Sequence, residues 1–154
     1  MGVDFEWLEK VVCRRPLTQK ERHILDESIK VLSVPPDMPI MHQGMEGDAL
    51  YILRSGSTNI SCKSGNRETL LSRDDTGRVF GETSMFSGGP TSAKIVASLP
   101  CTVYKISREH FQEIMQKHSK LALNLLAFIV RNMGDIIRRL DMKQTSASNS
   151  NRHL

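Results

Sequence analysis

No apolar run in the 154 residues approaches the roughly 18 that a membrane-crossing helix needs, and no basic-then-apolar leader opens the chain. Both absences lead to the expectation of a cytoplasmic protein. Cysteine is scarce: Cys13, Cys62 and Cys101 are odd in number, widely spaced and lack a C-x-x-C pairing. That usage argues against a disulfide framework or a thiolate zinc site and fits free thiols in a reducing compartment. Histidine offers no metal site either. His23, His42, His110, His118 and His153 show no H-x-H or H-E-x-x-H spacing, and His110 and His118 have no carboxylate partner at ligand distance in the sequence. There is no G-x-S-x-G elbow, no P-loop and no G-x-G-x-x-G, and no catalytic pair stands out among the 17 acids. The expectation is a protein that is not an enzyme and carries no metal or cofactor.

What is present suits one compact domain. The chain is 39% hydrophobic and 25% charged, and its net charge of +4 favours anions without naming nucleic acid. Residues 4–32 read as helix: DFEWLEKVV is one amphipathic piece, Pro16 breaks it, and LTQKERHILDESIKVL follows. Thr18 and Glu21 form a capping-box pair, with Leu25, Ile29 and Leu32 at helical spacing behind them. Between 34 and 106 short β-rich runs (PIMH, ALYILR, STNISCK, ETLLSR, RVF, KIVASL, TVYKI) alternate with turn clusters such as PPD, MEGD, KSGN and RDDTG. Short strands at this spacing predict a barrel or sandwich. Residues 107–143 return to helix, with Phe111, Ile114 and Met115 on one piece and Leu126, Ile129, Met133, Ile136 and Leu140 on a longer one. Arg131, Asp135, Arg138 and Arg139 fall on the other side of that helix, Asp135 and Arg139 as an i,i+4 pair. Residues 144–154, QTSASNSNRHL, are expected to be a disordered tail. Met41, Met85, Met115 and Met133 read as core fillers, and Gly47 and Asp48 as a tight turn.

One stretch carries chemistry: FGETSMFSGGPTSAKIVA, residues 80–97. A Gly- and Ser-rich loop beside a helical turn can aim several amides at one cluster of oxygens, and the helix dipole adds to the attraction. The carboxylate of Glu82 is out of place beside a bare phosphate, but it suits a ligand that pairs an anion with a sugar hydroxyl. Taken alone, the same residues also describe a strand end at Gly81-Glu82 and a tight turn at Gly88-Gly89-Pro90.

A second stretch favours the first reading. IMHQGMEGDALYILRSG, residues 40–56, resembles the first signature of the cyclic-nucleotide-binding domain family, and residues 80–97 resemble that family's phosphate-binding cassette. The resemblance covers roughly residues 17–142. It implies a mainly β fold, an eight-stranded jelly roll of the double-stranded β-helix type between N-terminal and C-terminal helices. It also implies a stand-alone regulatory module for a cyclic mononucleotide, cyclic AMP ahead of cyclic GMP.

By that resemblance Gly81 and Ser84 offer amides, Glu82 takes the ribose 2′-hydroxyl, and Thr83 and Ser92 complete the site. The residue after Pro90 would supply a guanidinium to the phosphate. Here it is Thr91. Hydrogen bonds to charged groups contribute about 1.5–3 kcal/mol, so this loss corresponds to roughly 10- to 150-fold in affinity. The Thr91 and Ser92 hydroxyls remain, with Arg78 or Lys94 as replacement cations. Lys94, three residues from Thr91 on a regular strand, would face the other way.

The resemblance also makes helix 120–143 the element that moves over the base, or that pairs in a homodimer or with a partner protein; its apolar stripe is equally explained by docking on its own barrel. The alternative is a degenerate domain that has lost its ligand and serves as an interaction scaffold. A jelly-roll metalloenzyme would need several strand histidines, and only His42 lies near a strand. A helix-turn-helix is not expected, because too few residues follow the last helix, so no DNA-binding motif is predicted.

Overall fold

Period-two alternation on the central strands builds the molecule. In the computed structural model, which describes residues 2–151, strand β3 (Ala49–Ser55) turns Leu50 and Ile52 to one side and Leu53 to the other, all three fully buried. Strand β8 (Cys101–Ser107) does the same with Tyr104 and Ile106 against Cys101 and Val103. A strand covered on both faces reads as a continuous apolar run, as ALYILR does.

Eight strands form two antiparallel sheets. One has the order β1-β8-β3-β6 and the other β2-β7-β4-β5. The remaining strands are β1 (Ile29–Val34), β2 (Pro39–Met41), β4 (Ser57–Ser64), β5 (Arg67–Asp75), β6 (Val79–Phe80) and β7 (Lys94–Ala97). Leu53, Ile60, Phe80, Ile95 and Val103 fill the space between the sheets. The outer face of the first sheet is covered by helices, with Leu8, Leu25, Phe111, Leu121, Leu125 and Phe128 packed on Leu50, Ile52 and Tyr104. This is the expected jelly roll with flanking helices.

The helices are α1 (Phe5–Trp7), continued by a π-helical turn over Leu8–Cys13, then α2 (Gln19–Ser28), α3 (Glu82–Ser87), α4 (Arg108–Lys117) and α5 (Ser119–Asn151). Two boundaries differ from the sequence reading. The second helix stops at Ser28, and Ile29–Val34 pair in register with β8, from Ile29↔Ile106 to Val34↔Cys101. Leu25, Ile29 and Leu32 mimic helical spacing, but β-branched Ile29, Val31 and Val34 favour a pleated surface, and six partners on β8 decide the contest. At the other end, the backbone stays helical to Asn151 through residues assigned to a tail. QTSASNSN contains neither proline nor glycine to stop it. Residues 152–154 lie outside the described residues.

The capping box is present. Thr18 Oγ1 accepts from the Glu21 amide at 3.1 Å, and Glu21 accepts from the Thr18 amide at 3.1 Å. Glu21 also receives the Arg15 guanidinium, which together with the Thr18 amide lowers its pKa to about 2 from an ordinary 4.5. A depressed carboxylate stabilises the fold above the unfolded pKa and loses that contribution as pH falls through the folded one. Glu21→Gln is therefore expected to flatten the acid loss of stability between about pH 4.5 and 2. Urea unfolding at stepped pH would read this; a profile parallel to that of the parent chain would refute it.

Candidate functional site

The chain leaves β6 at Gly81, whose φ of 77° is left-handed. A Cβ at this position would stand 2.6 Å from the Ala49 carbonyl oxygen, so glycine alone permits the passage from β6 into α3. No side chain caps α3, which leaves first-turn amides without an intrahelical partner. They lie in the wall of a cavity of about 180 Å³ that Gly81, Glu82, Thr83, Ser84 and Ser92 share with an apolar floor of Met41, Ile60 and Ile95. Burial pushes the Glu82 carboxyl above its ordinary value, while its own amide and the Arg78 charge pull it down. Five of the six residues predicted for the site therefore meet around one hollow.

Thr91 is the exception. It is buried, and its hydroxyl donates to the His42 carbonyl at 2.5 Å and accepts from the Met45 amide at 2.9 Å. Its backbone pairs with the same turn, Thr91 N to Met45 O and Gly44 N to Thr91 O, each at 2.8 Å. The side chain staples the turn between β2 and β3, with its one donor proton committed there. It lines a separate hollow of about 80 Å³ with Gly47 and Tyr51, not the cavity beside Glu82. The Ser84 hydroxyl is also spent, on the Pro90 carbonyl at 3.1 Å, so Ser84 has its amide to offer.

The cation in the cavity wall is Arg78. Lys94 is not in that wall; Ile95 and Ala97 of β7 point inward and Lys94 lies on the other face. Arg78 Nε stands 3.1 Å from Asp74 Oδ2, yet that buried N–H is not aligned with any acceptor. Arg139 of α5 reaches the other oxygen of Asp74 at 3.2 Å, so its expected pairing with Asp135 gives way. Asp135 takes Arg138 instead, at 3.1 Å. Asn132 adds a second tie, accepting from the Val79 amide at 3.2 Å and donating to the Gly77 carbonyl at 2.9 Å.

Beyond Arg78 a larger, mostly apolar hollow of about 340 Å³ opens between the barrel and α5, walled by Ile60, Leu71 and Ile136. Sequence reasoning missed Asp74, Asn132 and Arg139 because RDDTG reads only as a turn and a helix face does not name its long-range partner.

Two contacts tie α3 to the rest. Gly47 lies so near α3 that a Cβ there would fall 2.7 Å from the Ser84 carbonyl carbon. Phe86 meets Phe111 of α4 edge to face at 5.5 Å. Of the four methionines read as core fillers, Met41 and Met85 are buried and Met115 and Met133 are exposed. Among the described residues no group of three or more His, Cys, Asp or Glu could hold a metal, and no helix is long and apolar enough to cross a membrane.

The family model for the cyclic nucleotide-binding domain matches residues 31–118, more than half of the chain. The chain belongs to the cyclic nucleotide-binding domain family. It is 32% identical over 111 residues to the cGMP-dependent protein kinase of Eimeria tenella, covering 71% of this chain and 11% of the kinase. It is 30% identical over 109 residues to the cyclic AMP receptor protein of Thermus thermophilus, covering 70% of this chain and 50% of the receptor. The chain thus spans half or less of the length of these two relatives. A cyclic nucleotide-binding domain from Methylobacillus flagellatus superposes with a TM-score of 0.77 at 25% identity, over 88% of this chain and 79% of that one. The catabolite activator protein of Thermus thermophilus gives 0.65 at 27%, over 83% and 61%.

A cyclic nucleotide-binding domain is a regulatory module and not an enzyme in itself. In this member Thr91 fills the position expected for the phosphate-binding arginine, and the structure gives that threonine a purely local task.

Proposed function

We propose that this chain binds a cyclic mononucleotide, cyclic AMP ahead of cyclic GMP, in the cavity beside α3 and reports occupancy through α4 and α5. The observation that carries the reading is the meeting of uncapped amides, Glu82 and Arg78 on one wall, next to an apolar hollow faced by Ile136 of α5. Amides and a guanidinium suit the cyclic phosphate, Glu82 suits a ribose hydroxyl, and Ile60, Leu71 and Ile136 suit a base. The order of the two nucleotides is carried over from the sequence reading, because the hollow is also lined by Ser72, Asp74 and Arg139, which could meet the polar edge of either base. Occupancy shifts the helices only as far as the ligand prefers one of their arrangements.

Isothermal titration with both nucleotides tests the reading. One-to-one binding is expected, weakened roughly 10- to 150-fold in Glu82→Ala, as for the loss of a hydrogen bond to a charged group. The absence of heat with either nucleotide would sink it.

A second reading, a dimerisation scaffold without ligand, rests on a different surface. Leu123, Val130 and Ile137 repeat every seven residues on α5 and are 65%, 65% and 57% exposed, with Met133 beside them. A seven-residue apolar repeat is the pattern of a two-stranded coil, which makes a second copy of this chain the fitting occupant. The pair Val130→Glu and Ile137→Glu is expected to convert a dimer to a monomer in analytical ultracentrifugation. A parent chain that is monomeric at high micromolar concentration would count against the seam.

A further inference from the structure

Asp74 is 3% exposed, and two arginines from different elements share it. Arg78 stands beside Oδ2 and Arg139 of α5 beside Oδ1, while the Ser72 hydroxyl donates to Oδ2 at 3.2 Å. A carboxylate this deeply buried cannot lose all of its cations without a large cost. It can lose one.

Arg78 borders the cavity beside Glu82 and Arg139 does not, so Arg78 is the one placed to turn to the ligand. Its side chain is 17% exposed, it lies over the Phe80 ring at 6.0 Å, and its Nε–H is buried without an aligned acceptor. It lines the cavity beside Glu82, the apolar hollow and a third, polar hollow of about 160 Å³ that Asp74, Asn132 and Arg139 also line. One guanidinium therefore borders both the ligand cavity and the anchor of α5.

We propose that Arg78 supplies the positive charge for the ligand's phosphate in place of the cassette residue at 91, and that its turn toward the phosphate leaves Asp74 to Arg139 alone, fastening α5. This rests on the nucleotide reading above. Without ligand, Asp74 divides its charge between two arginines, and Arg139 is held by half of a carboxylate. With ligand, Arg78 has a phosphate partner and Asp74 keeps Arg139 as its counter-charge. The same coupling runs in reverse, so fastening α5 raises affinity for the nucleotide by the factor that the nucleotide fastens α5. Asp74 acts as a positioning residue for the two arginines and is not the group that holds the phosphate.

The test uses the full chain and its variants Arg78→Met, Arg78→Lys and Asp74→Asn, each first shown folded by circular dichroism. Cyclic AMP and cyclic GMP are titrated calorimetrically, and amide hydrogen exchange is followed over residues 132–139 with and without nucleotide. Arg78→Met is expected to weaken binding roughly 10- to 150-fold, the range for a lost charged hydrogen bond, and Arg78→Lys to recover most of it. Asp74→Asn is expected to bind as tightly as the parent chain or more tightly, yet to lose the nucleotide-dependent slowing of exchange. Unchanged affinity in Arg78→Met, with the parent chain binding, would overturn the role of Arg78 and leave the nucleotide reading intact. Retained slowing in Asp74→Asn would overturn the link to α5. A parent chain that binds neither nucleotide would overturn the reading itself and this inference with it.

Discussion

Truncating Phe111 to alanine is expected to cost about 3–5 kcal/mol of unfolding free energy, the range for deleting a buried aromatic ring. Phe111 is 1% exposed, on the face of α4 that packs against the barrel and α5. Its helix starts from a Ser107 cap, whose hydroxyl accepts from the His110 amide at 3.1 Å, so α4 has little freedom to slide and fill the void. The edge-to-face contact with Phe86, at 5.5 Å and 82°, adds about 0.5–1.5 kcal/mol beyond the area buried. Domains of this size hold about 5–15 kcal/mol in all, so the variant should lose roughly a fifth or more of its stability and unfold at a clearly lower urea concentration.

Phe111→Leu keeps most of the apolar volume and loses the ring pair. It should cost much less in stability while loosening α3 from α4. Urea denaturation of both variants decides the matter: a Phe111→Ala midpoint close to that of the parent chain would show that the site relaxes freely.

Gly47→Ala is the second large effect, and it acts from the opposite side of α3. The added methyl carbon would lie 2.1 Å from the Ser84 Cβ, 2.7 Å from its carbonyl carbon and 2.9 Å from its Cα. Backbone cannot swing aside as the end of a flexible side chain can. The loop has little room to retreat, because the Arg108 guanidinium donates to the Gly47 carbonyl and the Arg108 amide donates to the Asp48 carbonyl at 2.8 Å. Overpacking of this kind costs about 1–3 kcal/mol, and the upper end is expected here. Because the segment driven back carries the Gly81 and Ser84 amides, affinity for the nucleotide should fall at least tenfold, about 1.4 kcal/mol. A variant with parent-like stability and affinity would show that α3 floats on its loop instead of resting on Gly47.

The architecture was legible in the sequence because it depends on repeated local signals. Seven of the eight strands lie in runs of β-favouring residues between Gly, Pro, Asn and Asp clusters, and the helices before and after them carry their own periodicity and caps. The eighth, Ile29–Val34, sits directly behind a good helix, and its Ile29 and Leu32 continue that helix's spacing. Only pairing with β8, more than sixty residues away, reveals it as a strand.

The site divides in the same manner. Gly81, Glu82, Thr83 and Ser84 are contiguous, and their order alone brings them to one wall. Thr91 was expected there too, but the turn at 42–45 competes for its hydroxyl, a contact no local pattern announces. Gly47 read as a turn residue, whereas its close approach to α3 is the stronger constraint on it. Asp74 and Arg139 meet across 65 positions, and an i,i+4 pairing with Asp135 was the nearest local guess for Arg139.

A crystal structure of the chain grown with cyclic AMP, or with cyclic GMP if that binds better, puts the central claim to its most direct test. The account predicts the cyclic phosphate at hydrogen-bonding distance from α3 amides and from Arg78, the ribose 2′-hydroxyl on Glu82, and the base against Leu71 and Ile136. A cavity empty of nucleotide at saturating concentration, or a nucleotide bound elsewhere with Arg78 still on Asp74, would contradict it.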